Sequence, residues 1–288
     1  MRIHFLPLLF LILLAALLGS WASHMFFEPG AKSAQKQSAY ERILQNRVLR
    51  CGYVLYPPAV IKDPNTGQFS GIAYEVMEGI GERLKLKIDW VEETSFATNV
   101  QGLLTRRYDA VCITYWANPA EGMYVNFSVP FYYSGLSVFA RAGDTRFDQN
   151  LDLINDPAVK IAVVDGTVPE RTARLRWPKA SFITLPNITD LAQLFMNVTS
   201  GKADIVLAEN YQLGAFNEKN NYALKNLTPA GPLRVFPNVI ALAPNDLQLK
   251  TMVDAALTDM LNAGEIDSIL NKYDKYPNSF YRVAKPYH

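Results

Sequence analysis

The apolar residues of this chain fall into two alternating patterns. Some form continuous runs of about five residues, which predict buried strands, and others recur every three or four positions, which predicts helices with one buried face. Residues 109–115 are an example of the first pattern, and Ile72, Val76, Ile80 and Leu84 are an example of the second. The chain is therefore predicted to be an α/β protein.

The predicted elements occur in two similar sets. In the first set, strands are predicted at 47–53, 87–91, 109–115 and 136–140, with helices after Ile72 and after Thr94 or Ser95. In the second set, strands are predicted at 160–164, 182–185, 203–208 and 239–243. Helices are predicted from Pro169, from Thr189, near Tyr211, from Asp246 and over 266–273. Repeated strand–helix–strand units imply parallel sheets with right-handed crossovers, and two sets of them predict two lobes.

The first 22 residues have the pattern of an export signal. Arg2 is followed by an apolar run at 5–18 and by small residues at Ser20 and Ala22. A spanning helix needs about 20 apolar residues, so the run is short for an anchor, although an uncleaved anchor remains the alternative. Residues 23–45 are rich in Ala, Ser, Lys and Gln and are predicted to be a tether. We therefore expect a periplasmic protein.

Charge and composition narrow the range of functions. The chain has 28 basic and 27 acidic residues, and Arg2 is the only charged residue among the first 22, so the remainder carries no net charge. Neither nucleic acid nor an anionic membrane surface is expected as a partner. The three histidines lie at 4, 24 and 288, and no Cys or His cluster has metal-ligand spacing. We therefore expect no metal, no cofactor and no His-dependent catalysis.

The two cysteines, Cys51 and Cys112, lie in predicted strands. In an oxidising compartment they can form a disulfide bond. Two buried free thiols fit the sequence equally well, because Cys is often a small core residue.

Ligands of open α/β sheets bind beyond the carboxyl ends of the strands. Four segments of this chain directly follow predicted strands, and they contain polar or aromatic side chains. The candidate ligand-binding residues in these segments are Tyr53, Tyr56, Thr114, Tyr115, Trp116, Gly166, Thr167, Glu209 and Asn210.

Short motifs, in a fixed order, carry a resemblance to a known family. They are VLRCG at 48–52, YPP at 56–58, NTGQFSGI at 65–72, YDAV at 108–111, VNFSVPFY at 125–132, IAVVDGTVPE at 161–170, SGKADIV at 200–206 and LNAGEI at 261–266. Together they resemble the bacterial extracellular solute-binding proteins that deliver polar amino acids to ABC importers. The resemblance implies a type II periplasmic binding protein fold. Lobe 1 would comprise 46–141 and 238–288, lobe 2 would comprise 142–237, and strands near Ala140 and Val239 would form the hinge.

The resemblance also implies roles for individual residues. Tyr56 lies where family members stack an aromatic ring on the ligand, and Glu209 lies where an acidic residue pairs with an α-ammonium group. The alternatives are that Tyr56 packs beside the following prolines and that Glu209 is a solvated strand end. Thr114 fits a position that offers small polar groups to a ligand carboxylate. Trp116 fits either a pocket wall or a core position.

Gly166 and Thr167 precede a predicted helix. Free N–H groups at a helix start attract anions, and a Thr hydroxyl adds a donor. The alternative is an ordinary helix cap, and Thr167 suits both.

One departure from the family concerns the ligand's charge. Amino-acid-binding members carry an Arg shortly after the third strand, where it binds the ligand carboxylate. Residues 117–123 contain no Arg or Lys, and Glu121 falls at or near that position. Two carboxylates, Glu121 and Glu209, near aromatic side chains suit a cation. We therefore expect a cationic or non-carboxylate ligand such as an amine, with a neutral ligand and a solvent-facing Glu121 as the alternative.

Three classes of function fit this fold. The first is a receptor, expected to be monomeric, that passes a small molecule to an ABC transporter permease. The second is an accessory protein that presents its ligand to a membrane receptor, and the fold alone does not separate the two. The third is a dehydratase-like enzyme, which would need the carboxylate-binding Arg that is missing here, so catalysis is not expected.

Overall fold

A computed structural model describes residues 37–186 and 191–284. The described residues from Ala39 onward belong to one compact unit. The predicted signal at 1–22, most of the tether and the helix cap at Thr189 lie outside the described residues. Within the described ranges, no helix combines the length and apolar character that crossing a membrane requires.

The helices and strands follow the predicted alternation. The helices are α1 (Ala39–Asn46), α2 (Ile72–Leu84), α3 (Asn99–Leu104), α4 (Pro119–Gly122), α5 (Val168–Arg176), α6 (Leu191–Thr199), α7 (Asn210–Lys219), α8 (Leu247–Asn262) and α9 (Glu265–Tyr273). The strands are β1 (Val48–Tyr53), β2 (Ile61–Lys62), β3 (Phe69–Ser70), β4 (Lys87–Glu93), β5 (Ala110–Trp116), β6 (Asn126–Phe127), β7 (Tyr132–Arg141), β8 (Lys160–Val164), β9 (Ser181–Leu185), β10 (Ile205–Ala208), β11 (Leu224–Asn226) and β12 (Arg234–Leu242).

In the described part of the chain, ten strands form one sheet with the order β4-β1-β5-β12-β7-β10-β8-β9, and β6 and β11 pair with β12 and β7. Lobe 1 contains β4, β1 and β5, which are parallel, and lobe 2 contains β10, β8 and β9, which are also parallel. The α/β class and the two lobes are confirmed. Strands β2 and β3 form a separate 2-stranded sheet, which was not predicted. In sequence they lie between β1 and α2.

Two long antiparallel strands join the lobes. The first half of β7 pairs with the first half of β12, from Tyr132 opposite Asn238 to Leu136 opposite Arg234. Beyond this pairing, β7 continues into lobe 2 beside β10, and β12 continues into lobe 1 beside β5. Both strands are longer than the apolar runs that predicted them, because their paired halves carry polar residues as well.

Apolar side chains fill both faces of each lobe's sheet. In lobe 1, α2, α8 and α9 cover one face, where Leu49, Ile80 and Val253 are fully buried. In lobe 2, the Trp177 side chain is fully buried beside Ile161 on one face. Phe195 and its neighbours fill the opposite face. This two-sided burial is why the parallel strands appear as continuous apolar runs.

The folded unit begins within the segment predicted to be a tether. Helix α1 covers the last part of 23–45, and Ile43 on this helix is fully buried in the lobe 1 core. Its backbone is fixed by a hydrogen bond from the Tyr40 N–H to Asp246 Oδ2 at 2.8 Å, and Arg42 pairs with the buried Asp109. A helix of eight residues has little stability alone, so these contacts hold it in place.

Helix α3 starts later than predicted. The hydroxyl groups of Thr94, Ser95 and Thr98 hydrogen-bond to one another in a turn, and the helix begins at Asn99. Phe96 therefore lies before the helix. Ser and Thr side chains favour such turns because they compete with helical backbone hydrogen bonds.

Cys51 and Cys112 form a disulfide bond between β1 and β5, with their Cα atoms 5.4 Å apart. The two strands are parallel neighbours, with Cys51 opposite Ala110. The disulfide resolves the alternative between a bond and free thiols that the sequence left open.

We expect reduction of this disulfide to lower the free energy of unfolding by about 4 kcal/mol, because the bond spans 61 positions of the unfolded chain. Urea unfolding with and without a reductant, followed by circular dichroism, measures the difference. The variant carrying both Cys51→Ala and Cys112→Ala is the control, because the reductant should leave its midpoint unchanged. An equal midpoint for oxidised and reduced wild-type protein would contradict this prediction.

Candidate functional site

A cleft lies between the two lobes at the carboxyl ends of their parallel strands. Its empty space, counted out to the open mouth, is about 880 Å³. Lobe 1 supplies aromatic and polar side chains, and lobe 2 supplies an apolar wall with a few polar groups. The lining residues are Tyr56, Phe96, Thr114, Tyr115, Trp116, Asn118, Glu121, Ala162, Val163, Val164, Gly166, Thr167, Val168, Pro169, Arg171, Leu191, Leu194, Leu207, Ala208 and Glu209.

The strand-end rule brings most of the predicted residues into this cleft. Those that line it are Tyr56, Thr114, Tyr115, Trp116, Glu121, Gly166, Thr167 and Glu209. Two predicted residues, Tyr53 and Asn210, do not line it.

Tyr53 belongs to the core of lobe 1 instead of the cleft. It is the last residue of β1 and is 5% exposed. Its ring packs edge-on against Phe69 and Trp90, at centroid distances of 5.0 and 5.8 Å. Side chains alternate between the two faces of a strand. The Tyr53 side chain lies on the face where Phe69 and Trp90 pack.

Asn210 connects structural elements outside the cleft. Its amide nitrogen donates to the Asn278 carbonyl oxygen at 3.1 Å, and its amide oxygen accepts from Asn226 at 3.0 Å. Both side-chain groups are thus used at the start of α7, away from the cavity.

Glu209 is a buried carboxylate at the cleft wall. It follows β10, is 9% exposed, and accepts a hydrogen bond from the Tyr56 hydroxyl at 2.6 Å. The nearby Ser134 hydroxyl also favours its charged form, whereas no basic side chain among the described residues pairs with it. Burial raises the pKa of Glu209 above its ordinary value, and the two hydroxyl groups only partly oppose this shift. The alternative of a solvated strand end therefore does not describe its position.

The Tyr56 hydroxyl is a firm donor to this carboxylate. Burial, followed by the charge of Glu209, holds the pKa of Tyr56 well above its ordinary value. The ring also packs edge-on against Phe96, with centroids 5.3 Å apart. Tyr56 thus lines the cleft while its hydroxyl connects lobe 1 to lobe 2.

Side chains of the joining strands continue this polar network. The Trp116 indole N–H donates to Ser134 Oγ at 2.8 Å, and its ring stacks on Phe236 at 4.5 Å. The Asn238 amide accepts from the Ser134 N–H at 3.0 Å and donates to the Thr114 carbonyl at 3.2 Å. Trp116 therefore both forms a cleft wall and packs against the interior of the fold.

Glu121 also lines the cleft, in the short helix α4. Its Oε2 accepts hydrogen bonds from the Tyr115 hydroxyl and from the Asn118 amide, both at 2.5 Å. Burial and the hydrogen bond to Glu121 raise the pKa of Tyr115, so this hydroxyl also remains a donor. Glu121 lines the cavity with its side chain 24% exposed, which differs from the solvent-facing alternative.

Arg171 is a cleft residue that the strand-end rule missed. It lies in α5, and its Nη2 is 3.9 Å from Glu121 Oε1 across the cleft. Its Nη1 donates to the Gly166 carbonyl at 2.8 Å. The sequence does contain a signal, since Arg171 lies one helical turn after Thr167 and so on the same face.

The helix start at Gly166 and Thr167 is occupied by the chain itself. The Gly166 N–H donates to Glu170 Oε2 at 2.8 Å, and Thr167 Oγ1 accepts from the Glu170 N–H. The Thr167 hydroxyl donates to the Val164 carbonyl at 2.7 Å. These donors serve a helix cap of the Thr-x-x-Glu type, which the sequence at 167–170 contains. The predicted anion site is thus filled by the Glu170 carboxylate.

Contacts outside the cleft also join the lobes. Gln212 donates to the Pro57 carbonyl at 2.7 Å, and Lys275 pairs with Glu218 at 2.7 Å. The Tyr211 and Tyr276 rings pack edge-on, 5.2 Å apart. Helix α7 of lobe 2 therefore packs against the segment that follows α9.

Comparisons with known proteins agree with the resemblance found in the sequence. The family of bacterial extracellular solute-binding proteins, family 3, matches residues 49–275. A probable amino-acid ABC transporter-binding protein of Haemophilus influenzae is 24% identical over 174 residues, or 59% of this chain. That match spans 63% of the Haemophilus protein.

Two solved structures of one ancestral protein share the fold. An ancestral amino-acid-binding protein, described as a precursor of cyclohexadienyl dehydratase, has a TM-score of 0.71 and 25% identity, covering 83% of this chain and 100% of its own. A second structure of the same protein, described as an ancestral cationic amino acid solute-binding protein, has a TM-score of 0.62 and 25% identity, with the same coverage.

We expect Glu209→Gln to raise the melting temperature of the ligand-free protein at neutral pH. The carboxyl pKa is raised by folding, so ionisation of Glu209 costs stability as the pH rises above the ordinary glutamate range. The advantage of the variant should shrink as the pH falls and Glu209 becomes protonated. Thermal unfolding of ligand-free protein between pH 4 and pH 8 measures this. The range begins near the ordinary glutamate pKa of about 4.3 and extends well above it.

The control for this measurement is Glu82→Gln, which changes an exposed glutamate and should leave the melting temperature unchanged. A Glu209→Gln protein that is less stable than wild type across the whole pH range would contradict the account of Glu209 as an uncompensated buried charge.

Proposed function

This chain belongs to the bacterial extracellular solute-binding proteins, family 3, and from that membership we propose that it is a receptor that delivers a small solute to an ABC importer. The solute is captured in the cleft between the lobes. The lobes that we propose are 46–141 with 238–288 and 142–237, a division supported by the crossing of β7 and β12 between them, although the second half of β7 pairs within the sheet of lobe 2. Export through the signal at 1–22 and a monomeric state belong to the same proposal.

The ligand that we propose is a small organic cation whose charged nitrogen binds Glu209. The observation that carries this is a buried carboxylate at the cleft wall with hydroxyl partners and no basic partner among the described residues. A buried charge without a counter-ion is costly, and a ligand ammonium group would remove that cost. The bond would be a charge-assisted hydrogen bond, which is stronger than a neutral one.

The aromatic residues around Glu209 support the same ligand. The Tyr56 ring and the Trp116 indole both line the cleft, and ring faces attract ammonium and guanidinium groups. The ancestral relative described as a cationic amino acid solute-binding protein is also in keeping with a positively charged ligand.

We propose binding without chemical conversion. One structural relative is described as a precursor of cyclohexadienyl dehydratase, and that relative itself is described as an amino-acid-binding protein. Delivery to an importer, as opposed to presentation to a sensory receptor, is tested by uptake. Deletion of the gene should abolish import of the bound solute in the source bacterium.

We expect calorimetric titration to detect binding of L-lysine, L-arginine and 1,5-diaminopentane, and no binding of L-glutamate or glucose. Glu209→Gln should weaken cation binding by about a hundredfold or more, since the ligand charge would lose its buried partner. Tight binding of L-glutamate together with no binding of any of the three cations would overturn the proposed ligand class.

The affinity for these cations should also fall at low pH. A bound cation favours the charged form of Glu209, so the bound protein has the lower carboxyl pKa and protons compete with the ligand as the pH drops. Glu209→Gln should remove this dependence from the titrations, whereas Glu82→Gln should retain it.

A further inference from the structure

We infer that Arg171 is the carboxylate-binding residue of the cleft, and that it determines specificity from lobe 2. This inference rests on the proposed function, because it concerns the other end of the ligand that binds Glu209. It revises the expectation from sequence, in which Glu121 made a ligand carboxylate unfavourable.

The guanidinium of Arg171 is held in place but retains free donors. One of its nitrogens, Nη1, is fixed by the Gly166 carbonyl at 2.8 Å. The other terminal nitrogen is 3.9 Å from Glu121, which is too long for a hydrogen bond. Among the described residues, no acceptor lies within hydrogen-bonding distance of Nη2 or Nε. A ligand carboxylate can therefore accept two parallel hydrogen bonds from these groups, which is the geometry that Arg favours.

Three other donors near Arg171 already have partners. The Gly166 N–H binds Glu170, and the Thr167 hydroxyl binds the Val164 carbonyl. Arg174, the next arginine of α5, also binds Glu170, at 2.9 Å. Arg171 is the one basic side chain among the described residues that line the cleft.

The Glu121 carboxylate faces Arg171, so the positive charge of Arg171 partly offsets its negative charge. Its Oε2 is saturated by Tyr115 and Asn118, and only Oε1 faces the guanidinium. The pair is close enough for its charges to offset each other across the cleft. The repulsion that Glu121 would exert on a ligand carboxylate is thereby reduced.

The three charged groups then define the ligand more closely. Glu209 and Glu121 are negative and Arg171 is positive, so a ligand with a net positive charge and one carboxylate complements them. The carboxylate lies at Arg171 and a cationic nitrogen lies at Glu209. A simple diamine satisfies only the second contact.

The test compares pairs of probes that differ only in the carboxylate. The first pair is L-lysine and 1,5-diaminopentane, and the second is L-glutamine and 4-aminobutanamide, whose side chains carry no charge. Calorimetric titration of wild type, Arg171→Gln and Arg171→Lys measures each affinity. Arg176→Gln is the matched control, because Arg176 lies in the same helix and pairs with Asp152 on the surface.

We expect Arg171→Gln to weaken the binding of the amino acids by about tenfold or more, which is the loss for a charged hydrogen bond, and to leave the two carboxylate-free probes unchanged. Arg171→Lys should restore part of the loss, because lysine keeps the charge without the paired donors. Arg176→Gln should bind all probes as wild type does. Circular dichroism and the melting temperature verify that each variant is folded.

Equal weakening of both members of a pair would overturn the inference, because Arg171 would then act only on closure of the lobes. Unchanged affinity for every probe would overturn it as well. The proposed cation site predicts that Glu209→Gln weakens the binding of both members of each pair. Its failure would therefore appear in the titrations of Glu209→Gln and not in those of Arg171→Gln. If wild type prefers L-glutamine to L-lysine, the proposed net charge is wrong, while the second pair still decides the role of Arg171.

Discussion

The antiparallel pairing of β7 with β12 is the constraint on which the rest of this structure depends. Each strand forms part of the sheet of one lobe and then crosses to the other, so these two chain segments set where the lobes meet. The parallel strands of both lobes end at that junction, and their polar exit residues therefore face one another. Without this crossing, Tyr56 and Glu209, which are separated by 153 positions in sequence, would not share a hydrogen bond.

Side chains of the joining strands also form hydrogen bonds with residues of the cleft. Ser134 on β7 and Asn238 on β12 lie within one polar network that includes Trp116 and the Glu209 carboxylate. Ser134 and Asn238 are fully buried, so their hydrogen bonds are shielded from water and depend on good geometry. A rotation of the lobes about these strands must therefore change the surroundings of Glu209. The crossing strands and the charge of Glu209 are therefore physically coupled.

Sequence reasoning located most of this site because parallel strand ends converge. Periodicity identified the strands, and the residues directly after them include Glu209. The same rule does not say which way a side chain points, so Tyr53 was included although it faces the aromatic core. It also overlooks groups that lie a helical turn away from a strand end, as Arg171 does. The resemblance identified Glu121 as a candidate site residue from its position in the sequence. The electrostatic effect of this carboxylate is determined by its neighbours Tyr115, Asn118 and Arg171.

Other features could not be predicted because they depend on contacts between distant segments. Asn210 follows a strand, yet its amide is used by Asn226 and Asn278. Helix α1 has too little length to be stable alone, and it forms because Asp109 and Asp246 bind it from elsewhere in the fold. The disulfide was undecided for a related reason, since only the sheet register places Cys51 beside Cys112.

Contacts that join the lobes without touching the ligand have a general effect on affinity. The Lys275–Glu218 pair, the Gln212–Pro57 hydrogen bond and the Asn210–Asn278 hydrogen bond favour the arrangement in which the cleft is formed. A ligand's apparent affinity is reduced by whatever fraction of the protein is not in its binding-competent state. These contacts raise that fraction by the same factor for every ligand, so they set how tightly the receptor binds and not what it selects. Selection is left to groups that meet the ligand itself, which in our proposal are Glu209 and the Glu121–Arg171 pair.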